Sequence, residues 1–154
     1  PISIAVALLE RSGFSADRFR VLHPGGRLGA SLRRVSDLMR TAPEVPLAAR
    51  TATMSDVLLV MSEKNFGCAG IVDDGDRLAG IVTDGDLRRH MAPGLLELTA
   101  GAVMTPSPQT ISSDGLIAEA VAMMAGKITN LFVVDDGRVV GIVRLHDCLQ
   151  AGAA

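Results

Sequence analysis

The stretch GIVTDGDL at residues 80–87 follows the turn residues DDG at 73–75, and this pattern occurs twice in the chain. The second copy is DDG at residues 135–137 followed by GIVRLHDC at residues 141–148. The copies are offset by about 61 to 63 residues, a period typical of one supersecondary unit that is repeated. The repeat also extends upstream, where LMRT at 38–41 matches VMTP at 103–106. Two copies of one motif therefore fill residues 38 to 150.

The first copy predicts a helix, a hairpin and a second helix. Thr53 and Asp56 form a capping-box-like start, and the residues that follow, Val57, Leu58, Val60 and Met61, make an apolar stripe at helical spacing. Apolar runs at 68–72 and 78–83 flank the polar turn at 73–76, which is typical of a β-hairpin. We expect Asp84 or Asp86 to cap a second helix that continues to Met91 and is closed by Pro93 and Gly94.

The second copy predicts the same order of elements. Ser113 or Asp114 is expected to cap a helix, and strands are expected at 131–134 and 139–143 around the turn at 135–137. A further helix is expected from Asp147 onward. Each copy is thus predicted as β-α-β-β-α, and since a unit of about 60 residues is marginal alone, we expect the two copies to pack sheet against sheet.

Composition excludes several classes of function. The chain has 154 residues, a formal net charge of -2 and 3% aromatic residues, so it lacks the cationic surface and stacking platforms of a nucleic-acid binder. Its longest apolar run is too short to span a membrane, and we expect a soluble, cytoplasmic protein with no membrane partner. Cys68 and Cys148 have no metal-ligand spacing, so we expect buried inert thiols and no metal site. The acidic turn at 73–76 lacks the closing Glu of a calcium loop, which favours a plain hairpin turn.

The repeated motif, together with Met-Thr-x-Pro before a helix, resembles the cystathionine β-synthase (CBS) domain, here as a tandem pair. The resemblance implies an α/β (α+β) fold in which two units pack in a pseudo-twofold arrangement. It implies CBS domains at residues 36–95 and 96–154. In that family the Thr and Asp of the motif, here Thr83 and Asp86, hold the phosphate and the ribose hydroxyls of a nucleotide. In the second copy the Asp is retained as Asp147, but Arg144 replaces the Thr, and an arginine there suits a carboxylate or phosphate.

The candidate ligand-binding residues lie around these motifs and in the loop that borders the expected cleft. They are Thr83, Asp84, Gly85, Asp86, Arg88, Lys127, Thr129, Arg144, His146 and Asp147. Of the adjacent Arg88 and Arg89, we expect one to be solvated and the other to reach a ligand or an interface.

Residues 1–35 carry a second resemblance. The stretch ERSGFSADRF at 10–19 and LHPGGRLGASL at 22–32 are similar to the helical end of the sugar isomerase (SIS) domain in bacterial D-arabinose 5-phosphate isomerases, which carry one CBS pair. That family converts D-ribulose 5-phosphate to D-arabinose 5-phosphate, on the route to the lipopolysaccharide sugar Kdo. The resemblance associates His23 with the active site, although HPGG can equally form a simple turn. The lysine and glutamates that complete the site lie outside this sequence, so we expect no isomerase activity from it.

These resemblances imply a regulatory module that senses a nucleotide or nucleotide-sugar and acts on its own SIS domain. Feedback inhibition or activation of the isomerase by the end product of its pathway suggests CMP-Kdo as the effector, with AMP or ATP as the alternative. No cofactor is expected. A second alternative is an oligomerisation module that binds nothing. The family resemblance implies a homodimer through the CBS pairs and a tetramer of the full-length enzyme.

Overall fold

The computed structural model describes residues 32–152, and His23 and most of the SIS-like tail lie outside this range. The helices are α1 (Val35–Leu38), α2 (Met54–Lys64), α3 (Asp84–Arg89), α4 (Ala100–Val103), α5 (Ile117–Met124) and α6 (Leu145–Gln150). The strands are β1 (Leu47–Ala49), β2 (Cys68–Asp73), β3 (Arg77–Thr83), β4 (Thr105–Pro106), β5 (Thr110–Ile111), β6 (Asn130–Asp135) and β7 (Arg138–Arg144). Both copies therefore have the predicted β-α-β-β-α order.

The described residues form two compact units. The first-copy unit contains residues 40–110 and 134–141, and the second-copy unit contains residues 32–39, 111–133 and 142–152. In the first-copy unit, β1 is parallel to β2, β2 is antiparallel to β3, and β4 is antiparallel to β3. Helix α2 packs on this sheet, and its buried Met54, Val57 and Met61 join Ile71 and Val82 in one apolar core.

Each unit also includes the short helix that leads into the other copy. Helix α4 precedes the second copy in sequence, yet its Ala100 and Val103 are buried in the first-copy core. The Ala100 N–H donates to the Ala52 carbonyl at 2.8 Å, and the Met54 N–H donates to the Leu98 carbonyl at 2.8 Å. Backbone groups at the two helix starts thus satisfy each other. This contact places the residues after α4 beside the first copy.

The second-copy unit has the reciprocal arrangement. The buried Val35 of α1 donates its N–H to the Gly115 carbonyl at 2.8 Å, and the Ile117 N–H donates to the Arg33 carbonyl at 2.8 Å. Helix α5 packs against α6, and Phe132 on β6 is fully buried. No helix among residues 32–152 is long and apolar enough to cross a membrane.

Several predicted helix starts are wrong by a few residues. Thr53 caps α2 as predicted, since its side chain accepts from the Asp56 N–H at 3.3 Å. The N-cap residue of helix α5, in contrast, is Leu116 rather than Ser113 or Asp114, and the Arg33 carbonyl accepts from its first N–H. Helix α6 begins at Leu145 and not at Asp147.

Candidate functional site

The GIVTDGDL motif crosses the end of β3 and the first turn of α3, and Thr83 is the N-cap residue there. The Thr83 hydroxyl accepts from the Asp86 N–H at 3.4 Å, and the Asp86 carboxylate accepts from the Thr83 N–H at 2.9 Å. This reciprocal capping box satisfies two backbone donors of the helix start. The prediction that Asp84 or Asp86 is the N-cap residue is therefore wrong, and the predicted extension to Met91 is also wrong because α3 ends at Arg89.

Asp86 is 2% exposed and its carboxylate accepts four hydrogen bonds. Its Oδ2 accepts from the backbone N–H of Thr83 at 2.9 Å and from the Thr83 hydroxyl at 3.1 Å. Its Oδ1 accepts from Nη2 of Arg89 at 2.6 Å and from the Thr105 hydroxyl at 2.7 Å. A carboxylate has about four lone-pair positions, so the chain itself fills all of them. We call Thr83, Asp86, Arg89 and Thr105 the Asp86 cluster.

The Asp86 cluster keeps its carboxylate ionised. Burial alone would raise the pKa of Asp86, but the hydrogen bonds from Thr105, Arg89 and Thr83 outweigh that effect and hold the pKa below its ordinary value. The site therefore presents a negatively charged acceptor inside a polar cluster at neutral pH. An acceptor of this kind suits hydroxyl and amine donors, and the adjacent arginines suit anions.

Thr105 lies close to Asp86 because helix α4, which leads into the second copy, packs in the first-copy core. The residue belongs to the Met-Thr-Pro segment at residues 104–106 of the second copy, and β4 pairs it with Ile81 on β3. The close approach of β4 depends on Gly80, since a Cβ there would lie 2.5 Å from the Met104 sulfur. Sequence reasoning identified this segment as part of the repeat but did not assign Thr105 to the site.

The remaining first-copy candidates surround the Asp86 cluster. Asp84 is exposed and Gly85 is half-buried in the first turn of α3. The Arg89 guanidinium folds back over Gly85, where an added Cβ would lie 3.3 Å from Nη1. Arg88 is exposed, and it is Arg89 that contacts Asp86. The i,i+3 spacing of Asp86 and Arg89 on a helix was a signal for this contact.

The second-copy candidates form a separate group in the second-copy unit. Arg144 precedes α6 and makes no side-chain capping hydrogen bond, in contrast to Thr83 at the matching position. His146 is exposed and Asp147 is half-buried in α6. The Leu145 N–H donates to the Thr129 carbonyl at 2.8 Å, which ties the loop carrying Lys127 and Thr129 to this helix start. The replacement of Thr by Arg therefore removes the capping box from the second copy.

No three His, Cys, Asp or Glu side chains come together as a possible metal site within residues 32–152. Cys68 and Cys148 are both buried free thiols. Burial and then the nearby charge of Asp147 raise the pKa of Cys148 to about 11, so this thiol stays protonated at neutral pH.

Comparison with known proteins identifies the same two repeats. A family model described as the CBS domain matches residues 35–93 and 100–154. Arabinose 5-phosphate isomerase KdsD of Escherichia coli strain K12 is 41% identical over 154 residues, an alignment that covers 97% of this chain and 47% of that protein. An uncharacterised protein of Rickettsia prowazekii, RP505, is 37% identical over 153 residues, covering 99% of this chain and 48% of that protein. The chain spans about half the length of these curated relatives.

Solved structures show the same architecture. CBSX2 from Arabidopsis thaliana, described as a CBS-pair protein, has a TM-score of 0.68 at 25% identity, covering 77% of this chain and 92% of that chain. The structure of CBSX2 in complex with AMP has a TM-score of 0.66 at 25% identity, covering 77% of this chain and 94% of that chain.

Proposed function

Because the chain belongs to the CBS domain family and carries the domain twice, we propose that it is the ligand-sensing regulatory part of a D-arabinose 5-phosphate isomerase. The observation that carries this proposal is the buried, ionised carboxylate of Asp86 within the GIVTDGDL motif. The relatives named arabinose 5-phosphate isomerase support the proposal that the chain is part of such an enzyme, and the AMP complex of CBSX2 supports a nucleotide-type ligand. The isomerase activity itself requires the SIS domain of the full-length protein, with which His23 is associated.

The proposed ligand pose follows from the chemistry of the motif. The carboxylate of Asp86 accepts hydrogen bonds from the two ribose hydroxyls, and the Thr83 hydroxyl binds the phosphate with Asp84 and Gly85 alongside it. The matching residues of the second copy, Lys127, Thr129, Arg144, His146 and Asp147, are proposed as a separate ligand-binding group, in which Arg144 suits a carboxylate or phosphate. Ligand binding regulates the isomerase if the ligand has a different affinity for two arrangements of the CBS pair.

We propose CMP-Kdo as the effector, because it joins a ribonucleotide to a carboxylated sugar and stands at the end of the pathway. Its ribose suits Asp86 and its carboxylate suits an arginine of the same unit, such as Arg88. AMP or ATP is the second candidate, since the CBSX2 structure contains AMP.

Isothermal titration of CMP-Kdo, CMP, AMP and ATP into the protein tests this function. We expect CMP-Kdo to bind most tightly, and Asp86→Ala to abolish binding. Asp74→Ala is a matched control, because Asp74 is an exposed carboxylate in the hairpin turn. Tighter binding of AMP or ATP would replace CMP-Kdo as the effector, while absence of binding by all four ligands would refute nucleotide sensing.

The alternative function is assembly, with the CBS pair joining copies of the enzyme and binding no ligand. Two large apolar side chains favour it: Leu149 on α6 is 44% exposed, and Met91 just after α3 is 70% exposed. Sedimentation of the protein would test whether it forms the expected homodimer. Asp86→Ala separates the two functions, because it should remove ligand binding and leave the oligomeric state unchanged.

A further inference from the structure

Donors of the chain itself occupy all four acceptor positions of the Asp86 carboxylate, so none of them is open to a ribose hydroxyl. Thr83 supplies two donors to Oδ2, while Arg89 and Thr105 supply two donors to Oδ1. A ligand that hydrogen-bonds to this carboxylate must displace at least one of them. The identity of the displaced donor then influences which ligands are selected.

The structure distinguishes the four donors by how firmly they are held. The Thr83 N–H belongs to the capping box that starts α3, so losing its bond to Oδ2 would leave a backbone donor of the helix start unsatisfied. The Thr83 hydroxyl takes part in that box as an acceptor, so it can turn its hydrogen from Oδ2 to a phosphate oxygen and still cap the helix. Thr105 is fixed through its backbone, which pairs with Ile81 on β3. The Arg89 side chain is 65% exposed, so water or a ligand can solvate its guanidinium once it leaves Asp86. Of the two donors to Oδ1, Arg89 is therefore the one that leaves at least cost.

Displacement would leave the Arg89 guanidinium next to the bound ligand. The side chain lies over Gly85 in the first turn of α3, close to Thr83. An arginine fork binds phosphate or carboxylate oxygens in bidentate geometry. A ligand with both a vicinal diol and an anionic group would compensate the broken Asp86–Arg89 pair, whereas a neutral nucleoside would not.

Resting on the nucleotide function proposed above, we propose that Arg89 determines specificity at this site. Ribose hydroxyls displace its guanidinium from Asp86, and the released guanidinium binds the anionic group of the same ligand. The site thereby selects nucleotides over nucleosides. Of the two adjacent arginines that the sequence left undecided, this assigns the binding of the phosphate to Arg89.

The test compares the dissociation constants of CMP with cytidine, and of AMP with adenosine, by isothermal titration. We expect Arg89→Met to reduce the nucleoside-to-nucleotide ratio of dissociation constants by about tenfold or more, the effect of a charge-assisted hydrogen bond. The nucleoside itself should bind Arg89→Met at least as tightly as wild type, because no ion pair must be broken. Arg88→Met tests the neighbouring arginine on the same helix. Arg77→Met is the matched control, because Arg77 is an exposed arginine at the opposite end of β3 from Thr83, and it should keep the wild-type ratio.

Arg89→Gln provides a second variant, since an amide can still donate to Asp86 but carries no charge; it should also reduce the ratio. If wild type binds CMP or AMP and both Arg89 variants keep its ratio, the role of Arg89 is refuted while nucleotide sensing stands. If Arg88→Met alone reduces the nucleoside-to-nucleotide ratio of dissociation constants, the assignment to Arg89 is likewise refuted. If wild type binds neither CMP nor AMP, this inference fails, and the proposed function fails with it only if CMP-Kdo and ATP do not bind either.

Discussion

Substituting Thr105 by valine tests the link between β4 and the buried carboxylate. The change keeps the side-chain shape and removes the hydroxyl that donates to Asp86 Oδ1 at 2.7 Å. The donor and acceptor are separated by 19 residues in sequence, so the contact joins the segment entering the second copy to the motif of the first. Its loss leaves Arg89 as the remaining described donor to Oδ1.

The expected cost follows from the charge on the acceptor. A hydrogen bond to a charged group contributes about 1.5 to 3 kcal/mol to the free energy of unfolding. Thr105 is exposed, so water can replace part of this interaction and the lower end, about 1.5 kcal/mol, applies. In a chain of this length, that loss lowers Tm by roughly 3 to 6 °C.

Urea denaturation and thermal unfolding, both followed by circular dichroism, would measure the change. Thr99→Val is a matched control, because Thr99 is exposed and its side chain makes no capping hydrogen bond. It should change stability by no more than about 0.5 kcal/mol. The difference between Thr105→Val and wild type should shrink as acid protonates Asp86. Equal stability of the two valine variants at neutral pH would refute the reasoning.

Three further predictions concern the same unit and the buried thiol. Because the pKa of Asp86 is lowered in the fold, wild type should lose stability as pH falls from 3.8, the ordinary value, through the lowered pKa. In urea titrations at a series of pH values, Asp86→Asn should reduce this loss of stability in acid. An unchanged loss would contradict the prediction. Gly80→Ala should cost about 2 kcal/mol in urea denaturation, since its methyl group would lie 2.8 Å from the Thr105 carbonyl; a neutral effect would show that β4 is not held closely. In a Cys68→Ala variant, Cys148 should react with Ellman's reagent at pH 8 only after urea unfolds the protein, because the thiol is buried and its pKa is raised to about 11. Prompt labelling of the native variant would be inconsistent with that environment.

The repeat allowed the order of elements to be predicted, because local patterns determine each of them. Apolar runs around 73–76 and 135–137 predicted both hairpins, and the structure has β2–β3 and β6–β7 there. Thr53 was correctly predicted as a helix cap since its partner, Asp56, is three residues away. An element whose hydrogen-bond partners lie within a few residues of each other can therefore be predicted from the sequence.

Features set by distant partners could not be predicted in this way. Leu116 precedes α5 because the Arg33 carbonyl, more than 80 positions earlier, accepts the first helical N–H. Thr105 joins the candidate site because α4 packs in the first-copy unit, and no local pattern in the sequence indicates that packing. Arg89 is the intermediate case. Its i,i+3 spacing from Asp86 was available in sequence, but the spacing predicts a contact only once the helix is known to begin at Asp84.

A crystal structure of the protein with CMP-Kdo tests the central claim most directly. We expect both ribose hydroxyls within hydrogen-bond distance of the Asp86 carboxylate, the phosphate at Thr83, and Arg89 turned from Asp86 to an anionic group of the ligand. A ligand bound away from Thr83 and Asp86, or bound there with its ribose turned away from Asp86, would contradict it.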